Sequence, residues 1–268
     1  MTDMKEQILR YVSPEYPWAD RFTFLPQVDS TNDYLKKLAA QGAPHGTVLA
    51  ADQQTGGRGR LGRTFLSPAG VGIYLSILLR PQCTPGELMH LTCASAVAMC
   101  DAIEAAAGIR PQIKWTNDLV SGKKKLAGIL SELGFGPGGA LDYAIVGIGV
   151  NCCQKPSDFA PEIQDTACSL SSITGRDVDR AGVAAAMMEA LFRMDRDLFA
   201  RKEEMLSQYR RDCVTIGQEV SLVRFDSVRH GKALDVDDEG ALIVAFADGH
   251  TEAVSCGEVS VRGMYGYV

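Results

Sequence analysis

Residues 54–72 read QTGGRGRLGRTFLSPAGVG, and Gly57–Gly62 within them spell G-x-G-x-x-G, the glycine pattern of dinucleotide-binding proteins. In those proteins the glycine turn opens a helix whose N-terminus holds the pyrophosphate. Here a proline and two further glycines follow the loop, and residues 71–79 (VGIYLSILL) read as an apolar strand. Because the required helix is absent from the pattern, we reject a nicotinamide or flavin site at this loop.

Other nucleotide-binding loops are also excluded by the sequence. No G-x-x-x-x-G-K-[ST] pattern occurs, and the H-R-D and D-F-G motifs of protein kinases are missing. The loop nevertheless carries Arg58, Arg60 and Arg63, and no Asp or Glu occurs between Gln53 and Gly86. Arginine forks and glycine N–H groups suit carboxylates and phosphates. In a chain of net charge −6, this locally basic loop predicts a confined anion site.

The composition narrows the class of protein. A chain of 268 residues with 22% charged residues is typical of a soluble globular protein of one or two domains. The acidic balance argues against a general binder of nucleic acid or anionic membranes. Eight cysteines occur without C-x-x-C spacing and only four histidines are present, so we expect no zinc site and interpret the thiols as small core residues in a reducing cytosol.

Periodicity and caps predict the elements of the first part of the chain. The N-terminus lacks a signal-peptide core, and no apolar run reaches the ~18 residues of a membrane span. Residues 30–42 predict a capped helix, residues 84–108 a second helix with Thr84 at its N-cap, and residues from about 180 to 204 a third. Strands are predicted at GTVLAAD, VGIYLSILL, QIKW and YAIVGIGVN, and a hairpin is predicted to turn near Ser121-Gly122.

The pattern changes after Cys213. Five short β-type runs follow, separated by Asp/Gly turns such as DDEG and ADGH. About 55 residues suffice for little more than a five-stranded barrel. We therefore predict a domain at 1–212 and a small all-β domain at 213–268.

Three further stretches carry polar residues at the ends of predicted strands. KWTND at 114–118 packs a cation, an aromatic, an amide and a carboxylate together, and Lys125 leads directly into an apolar strand. A lysine that enters a buried strand is costly unless it meets an anion. Gly147 and Gly149, just before Asn151, allow another group to approach the backbone closely. Taken singly, each feature is equally well explained as a turn, a solvated loop or core.

Together these stretches resemble the biotin protein ligases. STN at 30–32, QTGGRGRLGR at 54–63, KWTND, KLAGILSE and GIGVN occur in that family's order and spacing, and the likeness extends to Gly263. Thr116 stands where many members carry proline, and we expect little effect from it. Members that repress transcription carry an N-terminal winged helix, whereas only about 20 residues precede the catalytic core here. We therefore expect a ligase without repressor activity.

The resemblance implies a fold and a reaction. The fold is an α/β (α+β) catalytic domain with a mixed sheet and flanking helices, followed by a small SH3-like β-barrel. The substrates are biotin and ATP with Mg²⁺, and the first product is biotinyl-5′-AMP. The acceptor is a specific lysine of a biotin carboxyl carrier protein or of the equivalent domain of a biotin-dependent carboxylase.

The resemblance also assigns the biotin side of the site. Lys125 is expected to hold the biotin carboxylate near the α-phosphate, and polar side chains are expected to bind the ureido ring. Ser30 has an alternative role as a helix cap. The biotin-binding residues implied are Ser30, Thr31, Asn32, Gln54, Arg58, Gly59, Arg60, Lys125 and Gly128.

The nucleotide side is assigned in the same way. The ATP-binding residues implied are Arg58, Arg60, Arg63, Phe65, Lys114, Asn117, Asn151 and Arg262. Phe65 is equally compatible with a core position. Asp118 is the expected Mg²⁺ ligand and the candidate base of the transfer step, so that Lys125, Arg58 and Asp118 form the expected catalytic set. We also predict that the glycine loop is poorly ordered without ligand, because its glycine density permits a mobile lid.

Two other classes of function remain as alternatives. A lipoate ligase or octanoyl transferase shares the core fold, and a non-catalytic ligand- or RNA-binding module would fit a small β-barrel. The arginine–glycine loop together with KWTND favours biotin. We expect a cytoplasmic protein that binds neither nucleic acid nor membrane and that is a monomer or weak homodimer.

Overall fold

A computed structural model describes residues 3–224, 227–255 and 260–263 of the chain. A seven-stranded mixed sheet forms the first unit, in the order β1-β2-β3-β7-β6-β5-β4. Only β1 and β2 are parallel, and every other neighbouring pair is antiparallel. The strands are β1 (Phe22–Leu25), β2 (Thr47–Ala51), β3 (Gly72–Leu79), β4 (Gln112–Lys114), β5 (Asp118–Ser121), β6 (Lys124–Phe135) and β7 (Leu141–Asn151). The predicted mixed sheet with flanking helices is confirmed.

Helices cover both faces of this sheet. They are α1 (Met4–Tyr11), α2 (Thr31–Ala40), α3 (Leu91–Ala107), α4 (Leu170–Thr174), α5 (Arg180–Asp197) and α6 (Lys202–Asp212). Most of the core lies between the sheet and α3 and α5, whereas α2 packs on the opposite face through Leu35 and Ala39. The three layers explain why β3, in the middle of the sheet, is buried along its whole length.

Two predicted features of local structure are confirmed. Helix α2 begins after Ser30, whose Oγ accepts a hydrogen bond of 3.4 Å from the backbone N–H of Asp33. The β5–β6 hairpin turns at Gly122 and Lys123, both of which have positive φ, one residue beyond the predicted position. Both features depend on residues close in sequence, so the sequence pattern was sufficient to locate them.

The helix predicted from Thr84 begins later than expected, at Leu91. The capping signal itself is real: the Glu87 carboxylate accepts from the Thr84 N–H at 2.8 Å, and Thr84 Oγ1 accepts from the Glu87 N–H at 3.4 Å. It caps only a single 3-10 turn, Gly86–Leu88. This turn and α3 together are apolar and long enough to cross a membrane, but 72% of the qualifying window is buried, as in the core helix of a globular domain.

The helix predicted at about 180–204 is wrong in its extent. The structure has two helices here, α5 and α6, separated between Leu198 and Arg201. His90 Nε2 lies 3.0 Å from the carbonyl oxygen of Leu198 at this break. Because that carbonyl is bonded by a residue distant in sequence rather than by the next helical turn, tertiary packing ends α5.

The second unit is the predicted small β domain. Its strands are β8 (Glu219–Arg224), β9 (Ser227–Val236), β10 (Leu242–Ala245), β11 (Thr251–Val254) and β12 (Ser260–Gly263), in the antiparallel order β11-β10-β9-β8-β12. It contacts the first unit directly. Trp115 Nε1 donates to the carbonyl of Gly240 at 3.0 Å, and Arg210 Nε donates to the carbonyl of Val236 at 2.7 Å. The tryptophan of KWTND is therefore held by the β domain.

Two glycines in β7 leave room for side chains that pack closely against the backbone of the sheet. A Cβ added to Gly147 would lie 2.0 Å from Asn32 Oδ1, and one added to Gly149 would lie 2.4 Å from the ring of Phe65. The groups that approach the backbone there are thus an asparagine from α2 and an aromatic ring from the glycine loop. Both residues belong to the predicted site.

The cysteines in the described residues are free, and most are buried. Burial raises the pKa of the Cys168 thiol to about 11. Burial also raises the pKa of Cys100 and of Cys152 well above the ordinary range of thiols. These three residues therefore behave as small apolar core residues.

We predict that Gly147→Ala destabilises the fold. The new methyl group displaces Asn32, whose side chain is hydrogen-bonded on both its nitrogen and its oxygen. We expect the free energy of unfolding to fall by about 1–3 kcal/mol, measured by urea denaturation. Gly86→Ala is the control, because the nearest atom to its new Cβ is 4.0 Å away. Equal stability of Gly147→Ala and wild type would contradict this packing.

We also predict that Cys100, Cys152 and Cys168 resist alkylation in the folded protein at pH 8. Only a small fraction of such thiols is ionised, and their sulfurs are shielded from solvent. Iodoacetamide labelling followed by peptide mass spectrometry measures this directly, with the same reaction in urea as the control. Rapid labelling of Cys152 without denaturant would count against the burial described here.

Candidate functional site

One cavity of about 440 Å³ opens on the α2 side of the sheet, a size suited to small-molecule ligands. It lies between the start of α2, the glycine loop, KWTND and the central strands β6 and β7. Fourteen of the sixteen residues that the sequence assigned to biotin, ATP or Mg²⁺ line it: Ser30, Thr31, Asn32, Gln54, Arg58, Gly59, Arg60, Arg63, Phe65, Lys114, Asn117, Asp118, Lys125 and Gly128. Motifs that lie far apart in sequence therefore converge on a single space.

Strand pairing brings KWTND and KLAGILSE together. In the β5–β6 hairpin Asp118 lies opposite Gly128, which places the end of one motif beside the middle of the other. Asn117 then ties the connecting segment to β6: its carbonyl accepts from the Ile129 N–H at 2.9 Å, and its Nδ2 donates to the Ile129 carbonyl at 2.8 Å. Both motifs are thereby fixed along the same side of the cavity.

The far side of KWTND is anchored by distant parts of the chain. Tyr209 of α6 donates its hydroxyl to the carbonyl of Thr116 at 3.1 Å, and Thr215 Oγ1 accepts from the Trp115 N–H at 2.9 Å. Thr116, the departure from the family pattern, is itself buried. Its neighbours Lys114, Asn117 and Asp118 all line the cavity. The altered residue therefore leaves the polar side chains of the motif in the cavity wall.

Lys125 meets an anion, as its position in an apolar segment requires. Its Nζ lies 2.7 Å from the Asp118 carboxylate and 5.8 Å from the centroid of the Phe65 ring. The Lys125 side chain remains 29% exposed, so the ammonium group is accessible from the cavity. A ligand carboxylate can approach the same ammonium group by competing with Asp118.

The glycine loop forms a tight turn over the cavity. The Phe65 N–H donates to the Gly57 carbonyl at 2.9 Å, and the Gly59 N–H donates to the Arg63 carbonyl at 2.7 Å. The Phe65 ring lies against Gly128 and Gly149. The loop thus supplies the cavity with an aromatic face as well as with cations.

Two of the loop arginines bind polar side chains of the cavity wall. Arg58 pairs with Asp33 at 2.5 Å and with Glu132 at 3.3 Å, and Arg60 donates to Asn117 Oδ1 at 3.1 Å. The Arg58 side chain is 44% exposed, so its ion pairs are screened by solvent and are individually weak. Exchange of these partners for a ligand phosphate or carboxylate therefore costs little.

The start of α2 and the loop after β2 supply neutral polar groups. Gln54 Oε1 accepts from the backbone N–H and the hydroxyl of Thr31, at 2.9 and 3.0 Å. Asn32 Nδ2 donates to the Leu130 carbonyl at 3.2 Å and to Glu132 at 2.8 Å. These side chains form a hydrogen-bonded floor suited to a neutral polar ring in a largely desolvated pocket.

Two predicted residues are not among those that line the cavity. Asn151 is buried, its Nδ2 donates to the Cys168 carbonyl at 3.0 Å, and its Oδ1 accepts from Gln154 at 3.1 Å. Its amide therefore fixes the chain at the end of β7 in this structure. The side chain of Arg262 lies outside the described residues. The nucleotide roles of both residues remain predictions.

Four polar or aromatic residues that support this region were not among the assigned site residues. Asp33 and Glu132 hold Arg58, Trp115 lines the cavity, and Ser76 bonds to Thr31 and Asn32 from below. Glu132 and Trp115 lie inside motifs that were recognised, and Ser76 is a lone hydroxyl in the apolar strand β3. These positions in the sequence could have drawn attention to the three residues. The sequence pattern could not show which residues they contact.

Within the described residues, no group of three His, Cys, Asp or Glu side chains is placed to hold a metal ion by itself. Asp118 is the one carboxylate among the described cavity-lining residues. Mg²⁺ commonly takes one or two carboxylates and completes its shell with substrate phosphates and water. The donor set therefore fits a Mg²⁺ ion that arrives with a nucleotide.

Comparisons with known proteins agree with this site. The family model described as the Biotin/lipoate A/B protein ligase family matches residues 24–151, and the one described as the Biotin protein ligase C terminal domain matches residues 215–262. The bifunctional ligase/repressor BirA of Bacillus subtilis is 37% identical over 226 residues, which are 83% of this chain and 68% of that protein.

A second relative is the biotin–[acetyl-CoA-carboxylase] ligase of Mycobacterium tuberculosis, which is 32% identical over 87% of this chain and 86% of its own length. Among solved structures, the biotin protein ligase of Aquifex aeolicus in complex with biotin and ATP superposes with a TM-score of 0.76. That match has 31% identity and covers 90% of this chain and 98% of the other. The chain belongs to the biotin protein ligase family.

Proposed function

We propose that this protein activates biotin with ATP and transfers it to a specific lysine of a biotin carboxyl carrier protein. The observation that carries the proposal is the convergence of Lys125 and three loop arginines on one cavity whose floor is neutral and hydrogen-bonded. Such a cavity can bind three kinds of ligand group, namely a carboxylate, a polyphosphate and a neutral polar ring. Biotin and ATP together present all three.

The first half-reaction brings two anions together. An oxygen of the biotin carboxylate attacks the α-phosphorus of ATP, the bond to the bridging oxygen of the β-phosphate breaks, and pyrophosphate leaves with biotinyl-5′-AMP as product. Charge neutralisation and positioning dominate such a transfer. Lys125 holds the carboxylate, and Arg58, Arg60 and Arg63 bind the phosphates or the carboxylate. No general base is needed, because the carboxylate is already ionised at neutral pH.

Lys125 and Asp118 change partners when the substrates bind. The ammonium group of Lys125 passes from Asp118 to the biotin carboxylate, and the Asp118 carboxylate would then be able to hold Mg²⁺. Bound Mg²⁺ supplies neutralisation of phosphate charge. The 2.7 Å ion pair supports this arrangement, since both groups already lie side by side at the cavity.

The remaining residues divide between the two substrates. Ser30, Thr31, Asn32 and Gln54 bind the ureido ring of biotin, with Gly59 and Gly128 allowing close approach of the ligand to the backbone. Lys114, Asn117 and the Phe65 ring face the nucleotide. Asn151 and Arg262 are retained as further nucleotide contacts.

The second half-reaction transfers the biotinyl group. The neutral amine of the carrier lysine attacks the acyl carbon, the bond between that carbon and the AMP oxygen breaks, and the nitrogen loses a proton. Asp118 is our candidate acceptor for this proton, because it is the carboxylate at the cavity wall. The glycine loop excludes water from the adenylate until the carrier arrives.

The carrier is expected to belong to a biotin-dependent carboxylase, and the enzyme to be cytoplasmic and a monomer or weak homodimer. From Ser131 to Phe135, β6 pairs only with β7 in the part of the chain that the structure describes. This free edge, with exposed Leu133 and Phe135, is where two copies would pair. We place the domain boundary at 212/213, directly after α6.

A lipoate ligase remains the second candidate, because the matched family description includes lipoate ligases. The hydrogen-bonded floor favours biotin, since the dithiolane ring of lipoate offers no N–H or C=O to Thr31, Asn32 and Gln54. Pyrophosphate exchange with biotin and with lipoate as alternative substrates separates the two. Exchange that depends on lipoate alone would overturn the proposal.

We predict that Lys125→Ala lowers biotin-dependent ATP–pyrophosphate exchange by about 100-fold or more, because the attacking carboxylate loses its cation. The same variant should fail to transfer labelled biotin to a carrier domain in the presence of Mg-ATP. Lys124→Ala is the matched control, because Lys124 is the adjacent lysine and is exposed to solvent. This variant should keep an exchange rate near that of wild type. Retention of a third of the activity by Lys125→Ala would refute the assigned role.

We predict that biotin protects the glycine loop from trypsin. Arg58 and Arg63 are exposed and lie between glycines or next to one, so cleavage after them reports opening of the loop. Biotin, and more strongly biotin with Mg-ATP, should slow this cleavage by fixing the arginines on the ligand. Cleavage elsewhere, after Arg229 for example, is the internal control. Equal cleavage with and without ligand would count against a lid.

A further inference from the structure

Ser76 is a buried hydroxyl beneath the floor of the cavity. It lies in the middle of β3, has no solvent exposure, and is not among the cavity-lining residues. Its Oγ lies 2.7 Å from Thr31 Oγ1 and 2.6 Å from Asn32 Oδ1. A hydroxyl in a core strand costs stability unless it is hydrogen-bonded, and here both of its partners face the cavity.

The orientation of the Asn32 amide is fixed by its neighbours. Its Nδ2 faces the Leu130 carbonyl and the Glu132 carboxylate, both of which only accept hydrogen bonds. The oxygen Oδ1 must therefore be the atom that faces Ser76. Both amide hydrogens are already used, so Asn32 can meet a ligand only as an acceptor.

The Gln54 amide is fixed in the same way. Its Oε1 accepts from the Thr31 N–H at 2.9 Å, and its Nε2 donates to Ser67 Oγ at 2.9 Å. Ser67 in turn donates to the Phe65 carbonyl at 3.0 Å, which leaves its lone pairs for Gln54. The oxygen of Gln54 therefore faces Thr31, and a flipped amide would break both contacts.

This cluster has fewer hydroxyl hydrogens than contacts. Three oxygen–oxygen contacts join Thr31 to Gln54 at 3.0 Å, Ser76 to Thr31 at 2.7 Å and Ser76 to Asn32 at 2.6 Å. Only Thr31 and Ser76 have a hydrogen to donate to them. One contact is always without a hydrogen, so the cluster as a whole accepts hydrogen bonds.

We propose that Ser76 is a positioning residue for recognition of the biotin ring. It bridges Thr31 and Asn32 from the side away from the ligand and holds their oxygens together as an acceptor pair. A cyclic urea carries two N–H groups that can donate to this acceptor pair from the cavity side, whereas a dithiolane or an alkyl chain carries none. The inference rests on the proposed function, and it adds a residue that does not touch the substrate.

The test is direct binding of biotin and of desthiobiotin, which keeps the cyclic urea but lacks the thiophane ring, to wild type and to Ser76→Ala. We expect Kd to rise about 10-fold for both ligands, as expected for loss of a buried hydrogen bond that orders the site. KM for ATP, and kcat at saturating biotin, should stay within about two-fold of wild type. Ser76→Thr, which keeps the hydroxyl, should restore most of the affinity.

Ser95→Ala is the matched control, because Ser95 is equally buried and its hydroxyl donates to the Leu91 carbonyl of its own helix, away from the cavity. If Ser76→Ala does not fold, Ser76→Cys keeps a small side chain with a weak donor and should shift Kd in the same direction. An unchanged Kd for biotin in the folded Ser76 variant, or a parallel rise in KM for ATP, would overturn this inference but would leave the proposed function standing. A wild-type protein that neither binds biotin nor exchanges pyrophosphate would overturn the proposed function as well.

Discussion

The site depends on glycines at the centre of the sheet, where larger side chains would fill the cavity. On the face covered by α2, Gly128 of β6 lies opposite Gly149 of β7, and Gly147 lies opposite Ser76 of β3. Elsewhere on this face, apolar residues fill the space under the helix. Where glycines stand in place of these residues, the sheet leaves a hollow beside the hydrogen-bonded floor formed by Thr31, Asn32 and Gln54. The hollow is rigid because it belongs to the central strands, which are the most completely paired part of the sheet.

Two of the cations around this hollow, Lys125 and Arg58, are already paired with carboxylates of the protein. Lys125 is held by Asp118, and Arg58 by Asp33 and Glu132, so the cationic site is assembled before a ligand enters. Assembly in advance lowers the entropy lost on binding. The cost is that a ligand must displace a carboxylate, which a carboxylate or phosphate of similar charge and geometry can do, whereas a neutral molecule cannot. The arrangement therefore contributes to selectivity as well as to affinity.

The two domains are coupled through the same site. The segment that contains Trp115 is bonded to Gly240 of the β domain, to Thr215 at the junction and, through Thr116, to Tyr209 of α6. The small domain thus helps to hold one wall of the cavity, although its described residues contribute no lining side chain. A role of this kind gives a physical reason for a β domain beside a complete catalytic sheet.

Local signals in the sequence were sufficient for the elements whose causes are local: the cap at Ser30, the buried strand β3, and a glycine loop that no helix follows. The motifs also identified most of the cavity lining, since residues of one motif stay together in any fold. The sequence could not show where α5 ends, because His90 bonds the carbonyl at the break from 108 residues away. Nor could it show that Glu132 orients Asn32 across 100 residues. A sequence specifies which donors and acceptors exist, but hydrogen bonds form over about 3 Å, so only the tertiary structure decides which of them meet.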